Sequence, residues 1–220
     1  MKVMVFGATG MVGQGVLRES LLDDRVDAVL AVGRTSTRRT HRKLHELVRP
    51  DLSDLEDVAG DLAGYDACFF CLGVSSAGMS ETEYRRLTYD LTLSIARTLA
   101  VVNPGMTFVY VSGQGTDSSG SGRVMWARVK GQTENALLDL PLDAYMFRPG
   151  FIQPMHGVVS KTRLYNMLYT VTTPLFPLLK RLMPGSFTTS EQVARAMLAV
   201  AEDGCADRIL SSREIARLGS

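Results

Sequence analysis

Short, unbroken apolar runs alternate along the first two-thirds of the chain with longer stretches in which apolar residues recur every three or four positions. The runs Val3–Phe6, Val26–Val32, Leu44–Val48, Ala67–Leu72, Met106–Val111 and Leu142–Phe147 predict six strands. Continuous rather than alternating apolarity is what strands buried on both faces require. Helices are predicted over Met11–Leu22, Asp54–Leu62, a stretch starting at Ser80, and Arg123–Leu138. The stretch from Ser80 is the clearest: Ser80 and Glu83 have capping-box spacing, and Asn103-Pro104-Gly105 ends it. Tyr84, Leu87, Leu91, Ile95, Leu99 and Val102 form its single apolar stripe.

Strand alternating with helix is the pattern of βαβ units, so residues 1–148 read as an α/β fold with a doubly wound, mostly parallel sheet. The texture changes after Arg148, where five of the eight prolines fall between Pro149 and Pro184 among large apolar residues. A last helix, Ser190–Glu202, and a short strand, Arg208–Leu210, close the chain. Ligands of doubly wound folds sit outside the carboxyl ends of the strands. The expectation is one domain over 1–220, with a small C-terminal segment, 149–189, covering a substrate there.

Composition changes this picture little. The 220 residues carry 24 Lys+Arg against 23 Asp+Glu, a net charge of +1, which gives no reason to expect nucleic acid as a partner. The uncharged stretch Leu164–Leu179 contains Pro174 and Pro177 and is shorter than the roughly 20 residues of a transmembrane helix. No targeting segment is evident at the N-terminus, and a cytoplasmic location is expected. Cys68 and Cys71 lie three apart in a strand, hence on opposite faces, and with Cys205 read as packed thiols rather than a redox or metal pair.

The strongest local signal is Gly7-Ala8-Thr9-Gly10-Met11-Val12-Gly13, between a strand and a helix. Glycines let such a turn reverse and approach a pyrophosphate, and the helix N-terminus offers N–H groups to it. A dinucleotide is the implied ligand. The second strand ends Val32-Gly33-Arg34 with no acid to hold a free ribose 2′-hydroxyl, so NADP(H) is favoured over NAD(H) through Arg34. Arg38, Arg39, Arg42 and Lys43 read as a solvated loop.

The glycine turn, Val32-Gly33-Arg34, the Ser112 that ends strand five and the Lys130 of the following helix together resemble the short-chain dehydrogenase/reductase superfamily. The stretch Phe69–Ser80 is similar to its atypical branch, which groups NAD-dependent epimerase/dehydratase-like proteins with NAD(P)-binding regulators of the Tat-interacting tumour-suppressor kind. Arg148-Pro149-Gly150 also fits, at a turn that in this family approaches the nicotinamide. The resemblance implies that Gly7, Ala8, Thr9, Gly10, Met11, Val12 and Gly13 hold the pyrophosphate and Arg34 the ribose phosphate. It further implies that Asp51 and Leu52 border the adenine, that Leu72, Gly73 and Val74 line the cofactor's middle, that Lys130 binds the nicotinamide ribose, and that Ser112 faces the substrate.

One position departs from that family. Its Tyr-x-x-x-Lys pair would put tyrosine four residues before Lys130, where this chain has Trp126. An indole N–H donates but does not exchange a proton usefully, so Trp126 cannot serve as general acid. Tyr84, Tyr89, Tyr165, Tyr169 and His156 are substitutes by residue type, each with a simpler structural role, and His41 and His45 read as surface residues. The loop 112–122, with four Gly and four Ser, reads as a mobile gate. Two functions follow: an NADP(H)-dependent oxidoreductase on a small apolar carbonyl compound, or a non-catalytic NADPH-binding sensor or regulator. Small residues beside the Tyr84–Val102 stripe leave a homodimer contact open.

Overall fold

The computed structural model describes residues 1–157 and 186–220. Seven parallel strands form one sheet in the order β3-β2-β1-β4-β5-β6-β9. In chain order these are β1 Lys2–Phe6, β2 Ala28–Gly33, β3 Leu44–Val48, β4 Ala67–Phe70, β5 Thr107–Val111, β6 Asp143–Arg148 and β9 Ile209–Ser211. Two further strands, β7 Phe151–Gln153 and β8 Phe187–Thr189, pair parallel in a separate small sheet. The helices are α1 Met11–Leu22, α2 Glu81–Arg85, α3 Leu91–Val102, α4 Met125–Leu138, α5 Ser190–Asp203 and α6 Ser212–Leu218, with a 3-10 helix at Glu56–Leu62.

Alternation along each strand divides the core in two. Val3, Val5, Val29, Ala31, Phe69, Val109 and Phe147 face α1 and α5. Met4, Phe6, Leu30, Val32, Phe70, Phe108 and Met146 face α3 and the 3-10 helix. The Phe70 ring anchors the second layer, 5.7 Å from both Phe6 and Phe108 and 6.0 Å from Tyr110. Cys68 and Cys71 fall on opposite faces as expected, and burial raises both thiols, Cys71 to about 12. Neither is poised for reaction.

The doubly wound parallel sheet is as expected, and three local expectations are corrected. The helix opening at Ser80 has its capping box but contains a π turn, Arg86–Asp90, between α2 and α3. The extra residue in that turn rotates the helix face, so Thr88 is buried and Leu87 is exposed. Lys43 is not solvated: its side chain is buried and its ammonium donates to the Asp23 carbonyl at 2.7 Å. The loop 112–122 is braced rather than loose. The Asp117 carboxylate accepts from Ser119 N, Ser119 Oγ and Gly122 N, while Gln132 and Arg128 of α4 donate to the carbonyls of Gly120 and Gly122. β7, β8 and α6 are too short for hydrophobic periodicity to disclose. Tyr165, Tyr169, Leu164–Leu179 and most of the expected covering segment lie outside the described residues.

Candidate functional site

Helix α1 starts where β1 ends, and the turn between them has little freedom. Gly7 has φ +78°, and a Cβ there would sit 2.9 Å from the backbone of Cys71 and Leu72. A Cβ at Gly13 would overlap the carbonyl oxygen of Gly7. Gly13 thus lets α1 lie on the end of β1. Gly10 donates to the Gly7 carbonyl at 2.9 Å and stands as N-cap without a side-chain cap. No acid occupies the first turn of α1, where Met11 and Val12 begin the helix. Uncapped N–H groups without a competing carboxylate suit an anion, so the residues present fit a pyrophosphate.

Three adjoining cavities run across the carboxyl ends of the strands. The first, about 350 Å³, is lined by Gly7, Ala8, Thr9, Arg34, Thr37, Glu46 and Leu72 among others. The second, about 560 Å³, brings together Arg34, Asp51, Leu52, Leu72, Gly73 and Val74. The third, about 670 Å³, includes Val74, Tyr84, Gln114, Trp126, Lys130, Pro149 and Gly150 in its walls. Arg34 and Leu72 are shared by the first two and Val74 by the last two, so the cavities form one groove.

Glu46 is a residue the sequence reading missed. Register places it beside Ala31 of β2. Its carboxylate accepts from Ser36 Oγ at 2.7 Å, Thr37 N at 2.6 Å and Thr37 Oγ1 at 2.5 Å. Desolvation opposes its charge, but these hydrogen bonds prevail and hold the carboxyl below its usual range. Glu46 therefore shapes the turn after Arg34. Alternation in the third strand put a charge there, but only strand register shows where it goes. The π turn contributes Arg86 and Leu87 to the second cavity.

At the far end of the groove, the Lys130 ammonium donates to the backbone carbonyl of Ser112. Burial lowers Lys130 to about 8, against an opposing pull from Glu134. The Ser112 hydroxyl is not brought to the cavity: it is buried and donates to the Phe147 carbonyl at 3.1 Å. Arg148 likewise turns away. Its guanidinium pairs with the fully buried Glu134 and donates to Ser118 Oγ at 2.6 Å, leaving Pro149 and Gly150 to line the cavity. Trp126 does line it, with its ring edge against Gly115.

Of the substitute acids, Tyr84 lies in the wall, buried, hydrogen-bonded to Thr88 and raised by desolvation. Tyr89 stacks under Arg85 at 4.1 Å. His156 lies 3.1 Å from Glu191, among the ion pairs that join α1 and α5. Phe151, Ser186 and Phe187, around the short β7–β8 sheet, complete the third cavity. The described ends of the expected covering segment therefore reach the groove.

A parallel sheet of this order, a glycine turn into α1 and a lysine of α4 held at the end of β5 define an NAD(P)-binding Rossmann protein of the atypical short-chain dehydrogenase/reductase class. The family model described as NAD(P)H-binding matches residues 7–204, and the chain belongs to that family. It is 29% identical to Protein HTATIP2 of Rattus norvegicus over 154 residues, which span 68% of this chain and 62% of the rat protein. It is 26% identical to Protein fmp52-2, mitochondrial, of Aspergillus oryzae over 98% of this chain and 95% of that one. Among solved structures, the Bordetella bronchiseptica enzyme WbmF in complex with NAD+ shares the fold at a TM-score of 0.68, with 19% identity, over 98% of this chain and 76% of that one. Among the described residues no helix is long and apolar enough to cross a membrane.

Proposed function

We propose that the protein is an NADP(H)-dependent oxidoreductase acting on a small apolar carbonyl compound. The observation that carries this reading is the continuous groove from the glycine turn, past Arg34, to a cavity with Lys130 in its wall. Arg34 borders both cavities at the adenosine end, where a guanidinium suits a 2′-phosphate. Glu46, in the same cavity, already spends its oxygens on Ser36 and Thr37. A bound reduced nicotinamide supplies a hydride. Lys130, fixed by Ser112, is placed to hold the nicotinamide ribose, and Val74, Pro149 and Gly150 to exclude water beside it. The reading includes a single domain over 1–220 and a cytoplasmic location, which suits three free thiols.

A second reading, a non-catalytic NADPH-binding sensor or regulator, is favoured by one pair of observations. Trp126 stands in the place of a proton donor, and the Ser112 hydroxyl is turned to Phe147. Titration with NADPH and NADH, followed at 340 nm with a panel of carbonyl compounds, separates the two. Turnover supports the enzyme, whereas tight binding without turnover leaves the sensor. Binding of neither dinucleotide overturns both.

A further inference from the structure

One carboxylate orders the turn that carries Arg34 into the groove. The chain leaves β2 at Gly33, whose carbonyl accepts from Arg49 N at 2.9 Å. Just beyond Arg34, Ser36 Oγ, Thr37 N and Thr37 Oγ1 all donate to Glu46 of β3. The same two hydroxyl oxygens accept in turn from Arg38 N at 3.0 Å and Arg39 N at 3.3 Å. Arg38 is held at φ +57°, a left-handed conformation that a non-glycine residue keeps when its surroundings fix it. Arg34 and Thr35 are thus strung between fixed points, Gly33 on the sheet and Ser36 on Glu46.

Glu46 also stands with Arg34, Thr35 and Thr37 in the wall of the first cavity, so it acts on a bound dinucleotide in two opposite ways. Its charge repels a 2′-phosphate. Its hydrogen bonds, however, fix a turn that the ligand would otherwise have to order, and ordering on binding lowers affinity. The second effect prevails. Glu46 and Arg34 are both exposed, so water and salt weaken the repulsion. The order of residues 36–39 rests on hydrogen bonds and is not screened. A carboxylate offers about four lone-pair sites, and three donors already occupy Glu46, which leaves little for a free ribose 2′-hydroxyl.

We propose that Glu46 determines dinucleotide choice as a positioning residue: through Ser36 and Thr37 it presets Arg34 for the 2′-phosphate of NADP(H). The proposal rests on the NADP(H) reading above and deepens it. It puts the determinant on β3, one strand away from the residue that makes the contact. A dinucleotide with a free 2′-hydroxyl has no phosphate for Arg34 to hold, so the preset turn favours only the phosphorylated form.

The test titrates the full chain, Glu46→Ala, Glu46→Gln and Arg34→Ala calorimetrically with NADPH and with NADH, at low and at high salt. Glu46→Ala is expected to weaken NADPH binding about 3- to 10-fold, the range that ordering one long side chain spans, and to leave NADH unchanged. Glu46→Gln, which keeps an acceptor oxygen without the charge, is expected to lose less. The ratio of Glu46→Ala to wild type is expected to persist at high salt, because hydrogen-bonded order is not screened. Trypsin is expected to cut Glu46→Ala faster than wild type within residues 38–42, with thermal melts as the check on the rest of the fold. Tighter NADPH binding in either Glu46 variant means that repulsion prevails and overturns the proposal. Equal losses for both dinucleotides, a loss confined to NADH, unchanged affinities or unchanged cleavage overturn it as well. Wild type that binds NADH as tightly as NADPH, with Arg34→Ala losing both alike, overturns the NADP(H) reading itself.

Discussion

Lys130 of α4 is held by the backbone carbonyl of Ser112, at the end of β5, so the lysine and the serine meet through main chain and ammonium while the hydroxyl points elsewhere. The ammonium is thereby positioned even though its neighbour's hydroxyl is committed to Phe147. Its burial has a measurable consequence. Titrating at about 8 in the fold against 10.5 in an open chain, Lys130 binds fewer protons folded than unfolded between those values. Lys130 thus makes stability rise with pH across that window and leaves it unchanged below, by about 3 kcal/mol in all. Urea unfolding of the wild type and Lys130→Met at pH 7.5 and pH 10 checks this. The wild type is expected to gain on the variant as pH rises, and a constant difference refutes the assignment.

Arg34 touches the groove but is exposed, so its removal leaves the fold intact. Arg34→Ala is expected to weaken NADPH binding about 10- to 100-fold, as losing hydrogen bonds to a charged group does. NADH affinity should stay within about twofold. Calorimetric titration with both dinucleotides is the measurement, and equal losses for the two would remove the 2′-phosphate from Arg34.

Arg148 behaves oppositely. Glu134 is fully buried and Arg148 is its partner across the α4–β6 contact, so Arg148→Ala leaves a carboxylate in the core without its counter-ion. A cost of about 3–5 kcal/mol is expected, most of it recovered in Arg148→Met with Glu134→Leu. Denaturant melts of the single and double variants decide it. A loss of cofactor affinity at unchanged stability would instead return Arg148 to the nicotinamide.

Gly13→Ala inserts a methyl where the Gly7 carbonyl already lies. Relief requires α1 to move off the end of β1, at a cost of about 1–3 kcal/mol or more. Thermal melts are expected to shift down, and dinucleotide binding to weaken with the distorted turn.

Trp126→Tyr places a phenol four residues before Lys130. NADPH-dependent reduction of a small apolar carbonyl such as benzaldehyde is expected to rise about 10²- to 10⁴-fold, the contribution of a positioned general acid. An unchanged rate would show that the tyrosine is not aligned with the acceptor.

The strands, the α1 turn and the order of the groove were legible in the chain because they follow from local rules. Unbroken apolar runs need two covered faces, and glycines need a close backbone approach. What failed was non-local. Leu87 obeys the helical period, but a π turn after Arg85 moves the face by one residue. Ser112 holds the expected position, yet the Phe147 carbonyl on the neighbouring strand takes its hydroxyl. The 112–122 loop has the composition of a gate, yet the Asp117 carboxylate ties it internally at Ser119 and Gly122, while the Asp117 N–H, Arg128 and Gln132 tie it to α4. Glu134, buried in a helix that reads as amphipathic, becomes intelligible only once Arg148 lies opposite.

Phe151–Gln153 and Phe187–Thr189 run side by side in the small parallel sheet. The chain that departs after Gln153 therefore re-enters beside its point of departure, and both anchors touch the aromatic cavity. Such an insertion can change length or sequence without shifting the register of any strand in the seven-stranded sheet. Variation in that stretch is thereby insulated from the sheet and from the glycine turn that fits a pyrophosphate, so one end of the groove can be altered while the other is inherited intact.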